Sequence, residues 1–558
     1  MDRKIFIYLM IGGVLIVFTF FLTQYGITQA HSVLHNTFNS EDIVVYCVFS
    51  LCFSLLYISN MRFLRLLAFS YTFLAYSIFL CYLKINNLGN FETSLGFEIS
   101  DANLLWTDAF RPGAVLDVMM VYWKPIIYGT VESLACVFMI YFLSRFLKFR
   151  IQRAIVSAGP IVAISIAYYL LGSGAEIDKM PIVEKIPMQL SFASKLDVYR
   201  GEREPVKLSF IQEKKQFPVI IYIVDESIRG DLLGINGFKF DTTPFLASYT
   251  GTLLNYGVAV SAGNCSAPSH IFLQTGVLPK SDSLAKIDHE LFSKPNIFQY
   301  AKNAGYRTIF VEGQLKGDKL QNYMSTEDFK YIDEYIQIRS VYDNTERYSI
   351  DMHIADEVAR RVNSNIPTFF YVLKSGAHFP AGLTYPASEE HFSPVAISAS
   401  ATTLAAYRNG YYNSIRWNVD QYFKKMLGLI DRSDSLIIYT SDHSENLMDY
   451  GEKFGHCSAA VYPSEVKVPI FIIATGKSQK LIQSLAESNL TNNQNEMTHF
   501  RLFPTLLITM GYKPIDVKEQ YGPSLFDEHK ETDVRFSITN LVPGRESTRI
   551  VRFIEKAK

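Results

Sequence analysis

Five long apolar runs crowd the first third of the chain, at about Ile5–Ile27, Ile43–Ser59, Leu64–Leu83, Ile126–Leu147 and Ala154–Leu171. Each approaches the roughly 20 apolar residues that a helix needs to cross a bilayer. The first is too long for a removable signal peptide and has no cleavage site. After a polar linker with Pro181, Pro187 and Pro205, the pattern changes to short runs that are apolar at every position. These are Val219–Val224, Thr308–Val311, Phe369–Leu373, Leu436–Tyr439 and Ile470–Ile473, with helical stretches such as Asn296–Ala304 and Asn418–Ile430 between them. Runs apolar on both faces suit strands buried between two helix layers. The pattern predicts a transmembrane domain of five helices over residues 1–172, a linker over 173–216 and an exported α/β domain with a mainly parallel sheet over 217–558.

Charge fixes the orientation. Asp2-Arg3-Lys4 precedes the first run, and the loop Thr28–Asp42 has no Lys or Arg. The turn before the third run carries Arg62 and Arg65, and the turn before the fifth carries Arg145, Lys148, Arg150 and Arg153. Basic loops stay in the cytoplasm. The N-terminus is therefore expected there, with everything after Leu171 on the far side of the membrane. Lys84 to about Pro125 reads as a long outward loop, polar over Asn86–Val115, with Ala114–Tyr122 apolar enough to lie along the interface. Glu132, just inside the fourth run, is either a functional ionisable group or a side chain reaching the headgroups.

Strand ends supply the candidate chemistry, because ligands in such sheets gather at the carboxyl ends of strands. The first run ends in Asp225-Glu226 and the fourth leads to Asp442-His443 and Glu445. The third leads through Lys374-Ser375-Gly376-Ala377 to His378, and His456 follows in Phe454-Gly455-His456-Cys457. A single acid or histidine after a strand is usually a turn or cap residue, but so many on one edge point to a metal site. Carboxylates with an imidazole suit zinc or manganese better than calcium.

The stretch Gly263–Gly276 reads as a helix with Ser266 as its N-cap, Pro268 in the first turn and Gly276 at the C′ position. Taken alone, Ser266 is only a cap. Beside a metal site it becomes a nucleophile, since a serine hydroxyl needs a base, a depressed pKa or a metal to react. Glu226, Ser266, Asp442 and His443 would give one divalent ion four ligands. His378 and His456 would bind a phosphate or protonate a leaving group.

Composition changes this picture little. The chain has 558 residues and a net charge of −1, so nothing points to nucleic acid. Cys47, Cys52, Cys81 and Cys136 lie in the apolar runs, leaving only Cys265 and Cys457 in the exported part. Each flanks a candidate site residue, and whether they are bonded stays open.

Several segments are shared with a known superfamily. Val219–Asp231, Asn236-Gly237-Phe238, Thr243–Leu246, Ser266–Gly276, Ser441–Asn446, Val468-Pro469 and His499–Leu506 together resemble the alkaline phosphatase/sulfatase superfamily. With the five apolar runs, they look most like the membrane-bound phosphoethanolamine transferases of Gram-negative bacteria. The resemblance implies a zinc-dependent enzyme of the inner membrane with a periplasmic catalytic domain, acting as a monomer. Its nucleophile would be Ser266, its zinc ligands Glu226, Ser266, Asp442 and His443, and its substrate residues His378, His456 and, from Gln314-Leu315-Lys316-Gly317, Lys316. The donor implied is phosphatidylethanolamine and the acceptor a lipid A or core-sugar group of lipopolysaccharide. The chain departs from that family in three ways: Ser replaces the usual Thr, the several exported disulfides are missing, and Met119–Glu132 lacks the polar substrate residues. Rival readings are a phosphoglycerol transferase, a sulfatase or phosphodiesterase, and a membrane scaffold on an inactive fold. His270 stands where sulfatases need an arginine.

Overall fold

The runs that are apolar on both faces become the inner strands of one seven-stranded sheet. In chain order its strands are β1 (Val219–Asp225), β2 (Thr252–Val260), β3 (Arg307–Glu312), β4 (Glu334–Gln337), β5 (Thr368–Leu373), β6 (Ser435–Ser441) and β7 (Lys467–Ala474). Their spatial order is β2-β7-β6-β1-β5-β3-β4. The computed structural model describes residues 202–209, 217–278, 293–316 and, apart from short gaps, 322–528. It also gives strand backbone at 92–93, 535–539 and 549–553, and positions 127, 130 and 131. The five predicted spans therefore lie outside the described residues, save those three positions in the fourth. Among the described residues no helix is long and apolar enough to cross a membrane. The chain divides into two compact units, residues 1–102 with 118–193 and residues 103–117 with 194–558. The sheet belongs to the second.

Strands β6, β1, β5, β3 and β4 run parallel. The run at Ile470–Ile473 is a strand as expected, but it is antiparallel to β6 and to β2. A strand's direction follows from its connection and not from its composition. The described residues between Ser441 and Lys467 form a 3₁₀ turn and short strands, with no crossover helix of the kind that a parallel neighbour needs.

Alternation sorts the strand side chains between two cores. Ile220, Tyr222 and Val224 of β1 and Phe369 and Tyr371 of β5 pack with Phe298 and Tyr300 of α2 (Ile297–Asn303) and with Leu502, Phe503 and Leu506 of α7 (Leu502–Met510). On the opposite face, Phe423 of α5 (Tyr422–Ile430) meets the rings of Tyr439 and Phe471. There α3 (Ile350–Val362) packs on α5. The helix predicted at Asn296–Ala304 forms with Asn296 as N-cap and Gln299 closing a capping box. The stretch Asn418–Ile430 is split, with a π-helical turn Arg416–Gln421 preceding α5 and joining it to α4 (Leu404–Ile415). Two further helices complete the chain order used here, α1 (Ser266–Thr275) and α6 (Ser478–Ala486).

Residues 202–208, which the sequence assigns to the linker, pack against the domain. Val206 and Leu208 rest on the apolar core. Arg203 donates to Asp328 at 2.6 Å with both side chains buried. The alternation Val206-Lys207-Leu208 is enough to seat this segment, its lysine turned to solvent.

Register sets the site. Asp225 of β1 lies opposite Ser441 of β6, so Glu226 and Asp442 leave the sheet side by side. The Asp442 N–H donates to the Asp225 carbonyl at 2.9 Å. On the other side Val224 lies opposite Leu373 of β5, and the Lys374 N–H donates to the Val224 carbonyl at 3.0 Å. Three strand ends thus open on one place.

Candidate active site

Glu226, Asp442 and His443 converge, each offering one ligand atom within 4.8 Å of the others, and all three are buried. The His443 Nε2 lies 3.4 Å from Glu226 Oε1 and 3.5 Å from Asp442 Oδ2. The Ser266 Oγ sits 3.1 Å from His443 Nε2 and donates to Glu226 Oε2 at 3.4 Å. The four residues predicted as a metal site and nucleophile are therefore brought together from β1, α1 and β6.

Ser266 is not the helix cap. Cys265 occupies the N-cap position with extended backbone, φ −137° and ψ 155°, and α1 begins at Ser266 itself. No side chain caps the helix. The Ser266 hydroxyl points at the carboxylates, since its own backbone is already helical and cannot adopt the β-region geometry of a cap. The helix ends as expected: Gly276 takes φ 64° and its N–H returns to the Phe272 carbonyl at 2.8 Å. Cys265 is disulfide-bonded, and Cys457 lies outside the described residues.

The loops that carry the cluster are pinned. Ser227 holds φ 60°, a left-handed conformation uncommon for a residue with a side chain. It is imposed from both sides, because its N–H donates to Asp442 Oδ1 at 3.2 Å and its carbonyl accepts from the Tyr411 hydroxyl at 2.5 Å. Its own hydroxyl donates to Glu226 Oε1 at 2.8 Å. Backbone strain of this kind collects at functional sites. Behind α1, the His499 Nδ1 accepts from the Ala262 N–H at 3.1 Å, and Ser269 donates to the Asp442 carbonyl at 2.5 Å. These bonds tie the start of the helix to the Asp442 turn.

Electrostatics push the two carboxylates of the cluster in opposite directions. Burial alone would raise the Glu226 pKa, but the hydrogen bond and charge of His443, helped by His378 and His456, hold it well below the usual carboxylate range. Burial, and then the charge of Glu226, pushes Asp442 up to about 7. His443 is raised above the ordinary imidazole value because Asp442 and Glu226 outweigh its burial. Two buried carboxylates this close repel one another, and a cation between them relieves that.

The donor set fits a divalent ion. Asp442 Oδ1 accepts from Ser227 and His443 backbone N–H groups, while its Oδ2 is buried without any hydrogen-bond partner. A buried carboxylate oxygen left bare beside an imidazole nitrogen and a second carboxylate is a ligand waiting for a metal.

His456 lies beside the cluster, its ring 4.1 Å from that of His443 and 6.3 Å from that of His378. The His456 Nδ1 lies 3.0 Å from Glu445 Oε1. His378 is held by its loop, with its Nδ1 2.9 Å from the Phe379 carbonyl and Arg347 donating to the carbonyls of both residues. Lys316 is placed differently: its Nζ pairs with Asp343 at 2.6 Å, and both are exposed. Its neighbour Gln314 reaches the site instead, donating to Glu226 Oε2 at 3.0 Å and to the Lys374 carbonyl at 2.9 Å.

Beneath the cluster is a buried ion network that strand-end reading did not single out. The Lys374 ammonium pairs with Asp225 Oδ2, lies 3.4 Å from Asp351 Oδ2, donates to the Asn418 carbonyl and sits 4.2 Å from the centre of the Tyr422 ring. Asp225 Oδ1 accepts the Glu226 N–H at 2.9 Å, and Asp351 accepts those of Ser375 and Gly376 at 2.8 and 3.2 Å. Burial raises Asp225 to about 6 despite the lysine. The network fixes the backbone on which Glu226 and His378 are carried.

Comparison with known proteins gives three findings. The profile of the sulfatase family, described as "Sulfatase", matches residues 218–512. The Kdo(2)-lipid A phosphoethanolamine 7''-transferase of Escherichia coli K12 is 22% identical over 307 residues, which are 53% of this chain and 52% of that protein. A phosphoethanolamine transferase of Helicobacter pylori is 22% identical over 289 residues, 50% of this chain and 52% of its own. The chain thus matches about half the length of these curated relatives. Among solved structures, the integral membrane lipooligosaccharide phosphoethanolamine transferase A of Neisseria meningitidis aligns with TM-score 0.58 at 17% identity, covering 92% of this chain and 95% of that one. The zinc complex of the C-terminal periplasmic domain of Escherichia coli EptC aligns with TM-score 0.50 at 16% identity over 63% of this chain and 96% of that domain. These likenesses show the fold.

Proposed function

The chain belongs to the sulfatase family, and on that premise we propose that it transfers phosphoethanolamine from phosphatidylethanolamine to a lipid A or core-sugar group of lipopolysaccharide. The observation that carries the reading is the buried Ser266 hydroxyl, 3.1 Å from His443 Nε2 and 3.4 Å from Glu226 Oε2, at the first residue of a helix. The relatives named for lipid A phosphoethanolamine transfer support the donor and acceptor, and the zinc complex of a structural neighbour supports zinc. The five apolar runs support an inner-membrane protein with a periplasmic catalytic domain, its lipid donor at hand.

Glu226, Asp442, His443 and the Ser266 Oγ would hold the ion. When bound there, zinc supplies a Lewis acid that favours the serine alkoxide and neutralises developing phosphoryl charge. The Ser266 Oγ attacks the donor phosphorus; the bond from phosphorus to the diacylglycerol oxygen breaks, and phosphoethanolamine is left esterified to Ser266. We assign the backbone N–H groups at the very start of α1, before Pro268, to the phosphoryl oxygens. We assign His378 and His456 to holding the phosphate and returning a proton to the departing oxygen. An acceptor oxygen then attacks the same phosphorus and restores the Ser266 hydroxyl. Sequestered beneath a mouth where it is only 7% exposed, Ser266 favours this second attack by a bound acceptor over one by bulk water.

Mass spectrometry of lipopolysaccharide from cells with and without the gene tests this directly. The expected result is one phosphoethanolamine unit gained on lipid A or core sugar when the gene is present. An unchanged lipopolysaccharide, or a phosphoglycerol unit on another glycan, overturns the assignment.

A further inference from the structure

We infer that His270 is a positioning residue for the metal site: its Nε2–H holds the Asp442 Oδ2 in ligating orientation, the ring itself being held by the buried Tyr371 hydroxyl. The inference rests on the metal reading above. His270 and Asp442 are both fully buried, and His270 Nε2 lies 3.7 Å from Asp442 Oδ2. Neither atom has any hydrogen-bond partner of its own. Two bare polar atoms facing each other in a closed interior are costly unless they close on one another. Asp442 Oδ1 is already held by two backbone N–H groups, so Oδ2 is the oxygen that can turn between the cluster and His270.

The other side of the ring fixes which nitrogen carries the proton. His270 Nδ1 lies 2.9 Å from the Tyr371 hydroxyl. A carboxylate oxygen can only accept, so the His270 proton stands on Nε2, facing Asp442, and the Tyr371 hydroxyl donates to Nδ1. His270 is on α1 and Tyr371 is on β5, so these donors tie α1 to the sheet just where the carboxylate emerges. A carboxylate ligand oriented by an outer hydrogen bond binds metal more tightly than one free to rotate, typically by 10–100-fold.

The test is zinc affinity of the full-length purified protein, measured by competition with a chelator, together with the visible spectrum of the cobalt-substituted form. His270→Phe fills the same space without a donor, whereas His270→Gln keeps an N–H near the Nε2 position. We expect His270→Phe to weaken zinc binding by about 10–100-fold and to change the cobalt bands, and His270→Gln to restore most of both. A residue that only fills the core gives the reverse order, with Phe tolerated better than Gln. Zinc affinity unchanged in a folded His270→Phe protein, or lowered equally by Phe and Gln, overturns the inference. If His270→Phe does not fold, Tyr371→Phe decides: zinc affinity below that of wild type supports the positioning of His270, and unchanged affinity refutes it. Wild-type protein that binds no zinc overturns the metal reading together with this inference. Wild-type protein that binds zinc but transfers no phosphoethanolamine overturns the proposed activity while leaving the role of His270 intact.

Discussion

At the scale of residues, the site is a competition between burial and pairing. Asp225, Asp351, Glu226 and Asp442 are all essentially inaccessible, and Lys374 is the cation that answers the first two. Removing one partner of a buried pair leaves an uncompensated charge and costs about 3–5 kcal/mol. Lys374→Met is therefore expected to lower the stability of the domain by that amount, read from the midpoint of denaturation. The double variant Lys374→Met with Asp225→Asn should recover much of the loss, because Asp351 keeps its two backbone donors. A single variant as stable as wild type would mean that the network contributes nothing. Such pairs were not legible in the sequence. Glu226, Ser266, Asp442 and His443 stood out because strand ends and a helix start advertise them. Lys374, Asp351, Gln314 and Tyr371 look like ordinary interior or turn residues until the fold joins positions far apart in the chain. Lys316 pairs with Asp343 at the surface, and it is Gln314 of the same loop that reaches the cluster.

At the scale of elements, strands were readable where burial leaves no alternative. β1, β5 and β6 are buried at every position, which forces the continuous apolar runs seen in the sequence. β2 alternates and carries Asn255, and β4 has only four residues at the sheet edge, so neither stands out from its surroundings. Turn geometry is where elements meet chemistry. Gly376 adopts φ 52°, and a Cβ there would lie 2.3 Å from the Glu226 carbonyl oxygen. That position admits only glycine without displacing the Glu226 backbone. Gly376→Ala is expected to cost about 1–3 kcal/mol and to weaken zinc binding, measured by chelator competition, because the loop and Glu226 must separate. Zinc affinity equal to that of wild type would show that Glu226 does not depend on this contact.

At the scale of the whole molecule, the described site lies within the unit that holds residues 194–558, and the proposed function leaves delivery of a lipid donor to the apolar runs. A truncated chain beginning at about residue 202, which keeps Arg203 on Asp328 and Val206 and Leu208 on the core, should be soluble, bind zinc and be nearly inactive on bilayer phosphatidylethanolamine. Full activity of that fragment on bilayers would remove any role for the spans in delivery. Metal removal should be felt by the entire domain. A ligand that binds only the native state at 100 times its dissociation constant adds about 2.7 kcal/mol, so chelation should lower the thermal midpoint and zinc, added back, should restore it. A midpoint indifferent to chelator and zinc would contradict the metal site.

If Ser266 carries the transferred group, the protein must hold it covalently between donor and acceptor. Full-length protein is incubated with phosphatidylethanolamine and no acceptor, digested, and the peptide containing Cys265-Ser266-Ala267 is weighed. The account predicts that this peptide gains one phosphoethanolamine unit, that Ser266→Thr retains part of the adduct, and that Ser266→Ala loses both adduct and transfer. Compared in the presence of chelator, the alanine and wild-type proteins should share nearly the same thermal midpoint, since Cys265 and not Ser266 occupies the helix cap. An unmodified peptide in active enzyme, or transfer at near wild-type rate by Ser266→Ala, would contradict it.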